Sequence, residues 1–406
     1  MKKFLSIALA LLMVCVMLPV VALADETVVA KIGETGYTSL QDAIDHVADG
    51  ETIVMQVATH TENGIGIFST GAHANAYDKS FTIDFNGCVL TVEDPMQGST
   101  GFETQAFHLE GNAAKAITMK NGTITSIQAP MLIQNYRSLN LVNMMLDGSN
   151  LPQAYYGTSP KVPGPTYTLS NNCGDIVISG NTTIKAKTEN GIAFDVYGHS
   201  KYSSGVSVTL DESFTGSVDT IEFDFNNVSM ADKMKLEIKG NGTVKGISVS
   251  DKFSSNKKVA NITITNGTFS SDVTEYAGNN LVVQVEEDFH VGAAAVAAVS
   301  NASKGETVYV LNGTTLTNVP AGVIIQNRTG DRITVNGKDV ELTGDAGYTV
   351  PASNITIIVP GDTTPAETPK TDDQKNPSTG ANDFVGLAAA AAVVALLGSA
   401  VVLRKK

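Results

Sequence analysis

Apolar and polar residues alternate through most of the middle of the chain. In "TIEFDFNNV" (220–228), Ile221, Phe223 and Phe225 fall on one side and Glu222 and Asp224 on the other, because successive side chains of a strand point to opposite faces. A similar alternation, followed by Asn or Gly and then Thr with an apolar residue, recurs at 81–92, 117–127, 139–149, 176–186, 206–218, 236–249, 262–273 and 308–319. Starts lie about 22 to 46 residues apart, a spacing that suits stacked strand-and-turn units but is too loose for a strict repeat. The pairs Asn121-Gly122, Asn241-Gly242, Asn266-Gly267 and Asn312-Gly313 accept the positive φ that sharp corners need. Corner Asn side chains of successive units would also be placed to hydrogen-bond one another.

The period changes in three places. In "GYTSLQDAIDHVADGETIVMQ" (36–56), Leu40, Ala43, Ile44 and Val47 fall on one helical face. Thr38 and Gln41 are spaced as a capping box, Gly50 stops the helix, and a strand at 52–56 follows. The segment "LPQAYYGTSPKVPGPTY" (151–167) has no period and reads as a long loop, the kind of element on which binding residues are commonly carried; an excursion without a ligand is the alternative. Residues 360–375, rich in Pro, Thr and Asp, read as an extended stalk.

Both ends carry apolar runs. Lys2 and Lys3 precede the apolar stretch 4–21, and Ala22-Leu23-Ala24 is a small-residue cleavage site, so 1–24 reads as a signal peptide. Near the other end, 385–403 is 19 uncharged residues followed by Arg404, Lys405 and Lys406. As a helix this run would be about 28 Å long, against a hydrocarbon core of about 30 Å. Asn376-Pro377-Ser378-Thr379-Gly380 lies just before it. Motif, span and basic end in this order resemble the cell-wall sorting signal of Gram-positive surface proteins, usually Leu-Pro-x-Thr-Gly, with Asn376 here in place of Leu. The resemblance implies that sortase cuts between Thr379 and Gly380 and joins Thr379 to peptidoglycan. It also implies a membrane contact only through 385–403 before processing. A eukaryotic lipid anchor is the rival reading, and the terminal basic residues oppose it.

The whole chain carries a net charge of −14. Without the five basic residues of the two ends and Asp383, 22 Lys and Arg face 40 Asp and Glu, a net of −18. Such a charge disfavours nucleic acid and anionic membranes as partners, and polyanionic glycans as well. Cys88 and Cys173 are the cysteines left after processing, and their number leaves open a disulfide or two free thiols.

The short amphipathic helix, tight turn and strand at 36–56, with the recurring units behind it, resemble right-handed parallel β-helix proteins of the pectate-lyase-like type. The expected fold is therefore all-β: a right-handed parallel β-helix with an N-terminal capping helix over 25–319 and a closing β segment over 320–359. Antiparallel β-sandwich domains are the alternative. This fold class divides into polysaccharide lyases or hydrolases and non-catalytic adhesins. Candidate carboxylates are Glu222, Asp224 and Asp84, which could ligate Ca²⁺ or act as an acid–base pair; outward strand positions must in any case be polar. The mature chain's arginines are Arg137, Arg328 and Arg332, and "YGHSK" and "DRIT" are half-matches to the Gly-His-Gly and Arg-Ile-Lys motifs of galacturonan hydrolases. No residue pattern calls for a metal or cofactor. Tyr155, Tyr156, Tyr167, Tyr197 and Tyr202 cluster in 150–204 of a chain without Trp. The expectation is a wall-anchored, non-catalytic adhesion or display module, with sortase and peptidoglycan as partners and a polysaccharide or host ligand beyond them. A wall-attached lyase or glycoside hydrolase is the alternative.

Overall fold

The computed structural model describes residues 27–93, 105–156, 160–189, 191–255, 260–341 and 347–352. The signal peptide with Ala22 and Ala24, the stalk, the sorting signal Asn376–Gly380 and the span 385–403 lie outside the described residues. The protein is all-β, built on long parallel sheets.

Strands follow one another through three parallel ladders in a constant order. The first ladder contains Thr52–Met55, Phe81–Asp84, the start of Ala116–Ser126, the start of Ser138–Asp147, Gly174–Ser179, Val206–Leu210, Met234–Ile238 and Ile262–Ile264. The second runs from Thr59–Glu62 and Val89–Val92, through the second halves of the two long strands, to Thr183–Lys185, Ser217–Val218, Thr243–Val244 and Gly267–Phe269. The third holds Ile65–Ile67, Gln105–Glu110, Met131–Tyr136, Leu169–Asn171, Ile192–Gly198, Thr220–Phe225 and Ile247–Val249.

Register explains the recurring pattern. Ile53, Ile83, Met119, Leu141, Ile178, Leu210, Ile238 and Ile264 are partners in unbroken succession along the first ladder, and all are buried. Leu90, Ile124, Leu146, Ile184, Val218, Val244 and Phe269 form the matching row of the second. Ile65, Phe107, Ile133, Leu169, Phe194, Ile221 and Ile247 do so in the third. Buried members of the three rows meet in one apolar cluster, and the unbroken register along each ladder lets apolar side chains stack at strand separation.

In three layers the corner between the first and second ladders is made by asparagine. Asn86, Asn121 and Asn143 have φ of 50°, 61° and 52°, and the last two bend single long strands so that each half enters a different ladder. Of the Asn-Gly pairs at 121–122, 241–242, 266–267 and 312–313, the one at 241–242 makes no left-handed corner; a Cβ on Gly242 would meet the Phe214 ring at 2.3 Å, so close packing explains that glycine. The Asn–Asn side-chain bond occurs instead at the opposite corner, where Asn135 donates to Asn171, both buried.

The helix Leu40–His46 covers the start of the ladders, with Leu40, Ala43 and Ile44 buried. Its cap is Ser39, whose hydroxyl accepts from the Asp42 N–H at 3.0 Å, one residue later than the Thr38–Gln41 box expected. Glu62 decides the register: its carboxylate accepts from the Leu40 and Gln41 N–H groups at 2.9 and 2.8 Å. Gln41 is thereby free to bond both the N–H and the carbonyl of Gly66. At the other end Gly267–Phe269 meets Asp288–Val291 antiparallel. A second apolar cluster from Val283 to Val350 packs around the helix Ala293–Asn301.

Candidate functional site

The outward side of the third ladder differs from an ordinary strand surface. One row of register partners reads Gly66, His108, Gln134, Ser170, Asp195, Glu222 and Ser248. Four of its polar members, His108, Gln134, Ser170 and Asp195, are buried. Gln134 donates to Ser170 at 3.2 Å, and the Ser170 hydroxyl donates to Asp195 Oδ2 at 2.7 Å. Burial, with Glu222 and Asp224 nearby, pushes the Asp195 carboxyl up to about 8 against the pull of the Ser170 bond. Asp195 is therefore largely a neutral acid at pH 7. Its Oδ1, like Oδ1 of Asp224, is a buried oxygen without a hydrogen-bond partner.

Glu222 and Asp224 point outward from their strand while Ile221, Phe223 and Phe225 are buried, as the alternation requires. Asp195 pairs in register with Glu222, and Tyr197 with Asp224, so three carboxyl groups share two adjacent strands. The Tyr167 hydroxyl donates to Glu222 at 2.8 Å, which ties the irregular segment 151–167 to this face. Lys252 Nζ lies 2.8 Å from Asp224 Oδ2 and donates to the Phe225 carbonyl at 3.0 Å. The hydrogen bond to Asp224 raises the lysine above its ordinary value.

Aromatic rings run beside this row. Phe68 stacks on His108 at 5.1 Å, His108 meets Tyr136 at 5.3 Å, and Tyr136 meets Tyr202 at 5.5 Å. Tyr202 contacts His199 at 5.9 Å, and His199 contacts Tyr197 at 6.2 Å. The series spans five strand positions, about 19 Å at the usual strand spacing. Burial lowers the His108 pKa despite Glu110 at 3.3 Å, so its imidazole is neutral at pH 7.

The other expected residues lie elsewhere. Asp84 is outward on the first ladder, 3.2 Å from Lys120. Arg137 is buried and donates to the carbonyls of Ala76, Tyr77, Lys79, Glu110 and Lys115. Arg328 lies 4.1 Å from the Tyr309 ring, and Arg332 pairs with Glu341 at 3.3 Å. His199 joins the ring series, whereas Arg332 does not, so the two half-motifs do not meet. Tyr155 is exposed on the hairpin of Ala154–Tyr156 and Val162–Gly164. Cys88 and Cys173 are buried free thiols, and burial pushes Cys173 up to about 11.

Sequence reasoning missed Asp195, Ser170, Gln134 and His108. Gln134 and Ser170 are each followed by an asparagine, Asn135 and Asn171, whereas Asp195 and His108 sit between apolar neighbours, in "GIAFDVYG" (191–198) and "QAFHLE" (105–110). A lone polar residue inside such a run is the available signal. No protein-family model, curated protein or solved structure matches the chain. Among the described residues no group of three or more His, Cys, Asp or Glu is arranged to hold a metal ion, and no helix is long and apolar enough to cross a membrane.

Proposed function

We propose that the protein is a sortase-anchored wall protein whose ectodomain is a right-handed parallel β-helix, and that the outward side of its third ladder binds a saccharide without transforming it. Support for the β-helix is the constant order in which successive strands enter three parallel ladders around one apolar cluster. Support for anchoring is Asn376–Gly380 followed by the span 385–403 and three basic residues.

The observation that carries the binding reading is the ring series from Phe68 to Tyr197 beside a row of buried polar groups. Rings supply flat apolar area for sugar faces, while fixed polar groups set orientation. A glycan array probed with the protein tests it. Retained neutral or cationic glycans, with signal lost in Tyr136→Ala and Tyr202→Ala, are expected; an array blank for the protein overturns the reading. Anchoring is tested separately: Thr379→Ala should shift the protein from the wall fraction to the membrane.

A hydrolase or lyase is the second reading, favoured by one observation. Asp195, Glu222 and Asp224 form a carboxyl trio with Lys252 beside it, and one member is protonated at neutral pH, as a general acid must be. New reducing or unsaturated ends released from any glycan of the panel would replace the non-catalytic reading with this one.

A further inference from the structure

We propose that Asp195, Glu222 and Asp224 form a subsite for an organic ammonium group, the amine of a de-N-acetylated amino sugar; the inference rests on the saccharide-binding reading and names the class of sugar. Three carboxyl groups occupy two neighbouring strands. Among the described residues the ion pair made to them is Lys252 with Asp224. Asp195, more than nine-tenths buried, keeps Oδ1 without a partner, and Asp224 Oδ1 is likewise buried and unpartnered. Two acceptor positions thus lie next to an excess of negative charge.

Electrostatics gives these positions a preferred occupant. Asp195 faces Ser170, Glu222 and Asp224, with Tyr197 beside it and Tyr167 and Lys252 on its acidic neighbours. In these surroundings the excess charge is relieved by a proton on Asp195. A site that retains a proton among like charges accepts a ligand cation in exchange for it. An ammonium group donates three N–H bonds, and its bonds to carboxylate oxygens are of the strong, charge-assisted kind. The Tyr197 ring, on the same strand as Asp195, adds an aromatic face to which a cation is attracted. The net negative charge also leaves uronic-acid polymers disfavoured.

The test titrates the full-length protein at pH 6 with two tetrasaccharides of one backbone, a glucosamine tetramer with charged amines and its fully N-acetylated counterpart. Calorimetry in buffers of different ionisation enthalpy reads affinity and proton exchange together. The glucosamine tetramer should bind about tenfold tighter or more, roughly 1.4 kcal/mol, with net release of protons. Asp195→Asn should abolish the release and most of the preference, weakening the glucosamine tetramer by a larger factor than the acetylated one. Glu222→Gln should lower the preference on its own, so that the result does not hang on one variant. Equal affinity for the two tetramers, or equal losses for both in Asp195→Asn, would overturn the ammonium subsite and leave the saccharide face standing. Binding of neither would overturn the face and the subsite together.

Discussion

The outward sides of the first and third ladders are built on the same pleat and solve its polar requirement in opposite ways. On the first, Thr52, Thr82 and Thr118 are register partners, and charged positions pair at the surface: Asp84 with Lys120 at 3.2 Å, and Glu237 with Lys235 at 2.8 Å. On the third, the equivalent row buries His108, Gln134, Ser170 and Asp195, and one carboxyl oxygen of Asp195 and one of Asp224, two positions along the neighbouring strand from Glu222, have no partner. A buried polar atom without a partner costs about 1–3 kcal/mol. Nothing in the strand geometry demands that cost, since the first ladder avoids it. Its presence on one face points to selection for something other than stability.

Arg137 joins the two faces, and removing it should have the largest effect. It sits between the strand ending at Tyr136 and the one starting at Ser138, and its guanidinium donates to five backbone carbonyls. Burial pulls it down to about 10, yet it stays charged at neutral pH. Arg137→Ala strands several carbonyls and should cost at least about 3 kcal/mol in urea unfolding. Arg137→Lys should recover less than half, because a compact ammonium cannot span the set. A loss within experimental error would mean that the two faces do not depend on this corner.

Next in size is the pH dependence that separates the faces. Asp195 binds its proton more tightly folded than unfolded, so the native state holds more protons between pH 4 and 8. Its contribution is fully present below the ordinary carboxylate value and fades as pH rises through about 8. Asp195→Asn mimics the neutral form. The variant should match the parent near pH 4 and exceed it by a few kcal/mol near pH 8. Parallel curves of melting temperature against pH for the two proteins would show that Asp195 ionises normally, and the contrast between the faces would fail.

How much of this was legible depends on the range of the interactions involved. Alternation exposes the interior rows and the outward placement of Glu222 and Asp224, because a period of two follows from the pleat alone. The helix at 40–46 is legible for the same local reason, but its cap is not. Thr38 and Ser39 are both competent, and Glu62, more than twenty residues away, selects Ser39. Asn121 announces a corner through the glycine that follows it. Asn143, in "LVNMML", makes the same turn without that signal. Asp195 stays hidden because Ser170 and Glu222 are 25 and 27 residues away along the chain. Register between strands, which alternation does not specify, brings them together. The terminal segments that point to wall anchoring lie outside the described residues, so that reading rests on sequence.

Two smaller substitutions sharpen the contrast. Tyr167→Phe removes the hydroxyl that donates to Glu222 and should cost about 1 kcal/mol. It should also speed protease cleavage within 151–167, since that bond holds the irregular segment to the third ladder. Glu222→Gln keeps an acceptor and should leave the cleavage rate closer to the parent's. Faster cleavage in Glu222→Gln than in Tyr167→Phe would contradict this account of how the segment is held.

Lys120→Ala on the first ladder should have the smallest effect. Partial burial raises the Asp84 pKa, but hydrogen bonds from the Asn121 amide, the Asn86 N–H and Lys120 outweigh it and hold the carboxyl below its ordinary range. Two of those three donors survive the substitution. The ion pair is also partly solvated, with both side chains at least a fifth exposed, and such pairs are commonly worth less than about 1 kcal/mol. The variant should therefore unfold within about 0.5 kcal/mol of the parent, and the difference should shrink in high salt. A cost as large as that of the Tyr167→Phe change would mean that the first face, too, depends on individual polar contacts. The third ladder would then lose the distinction on which its assignment as the binding face rests.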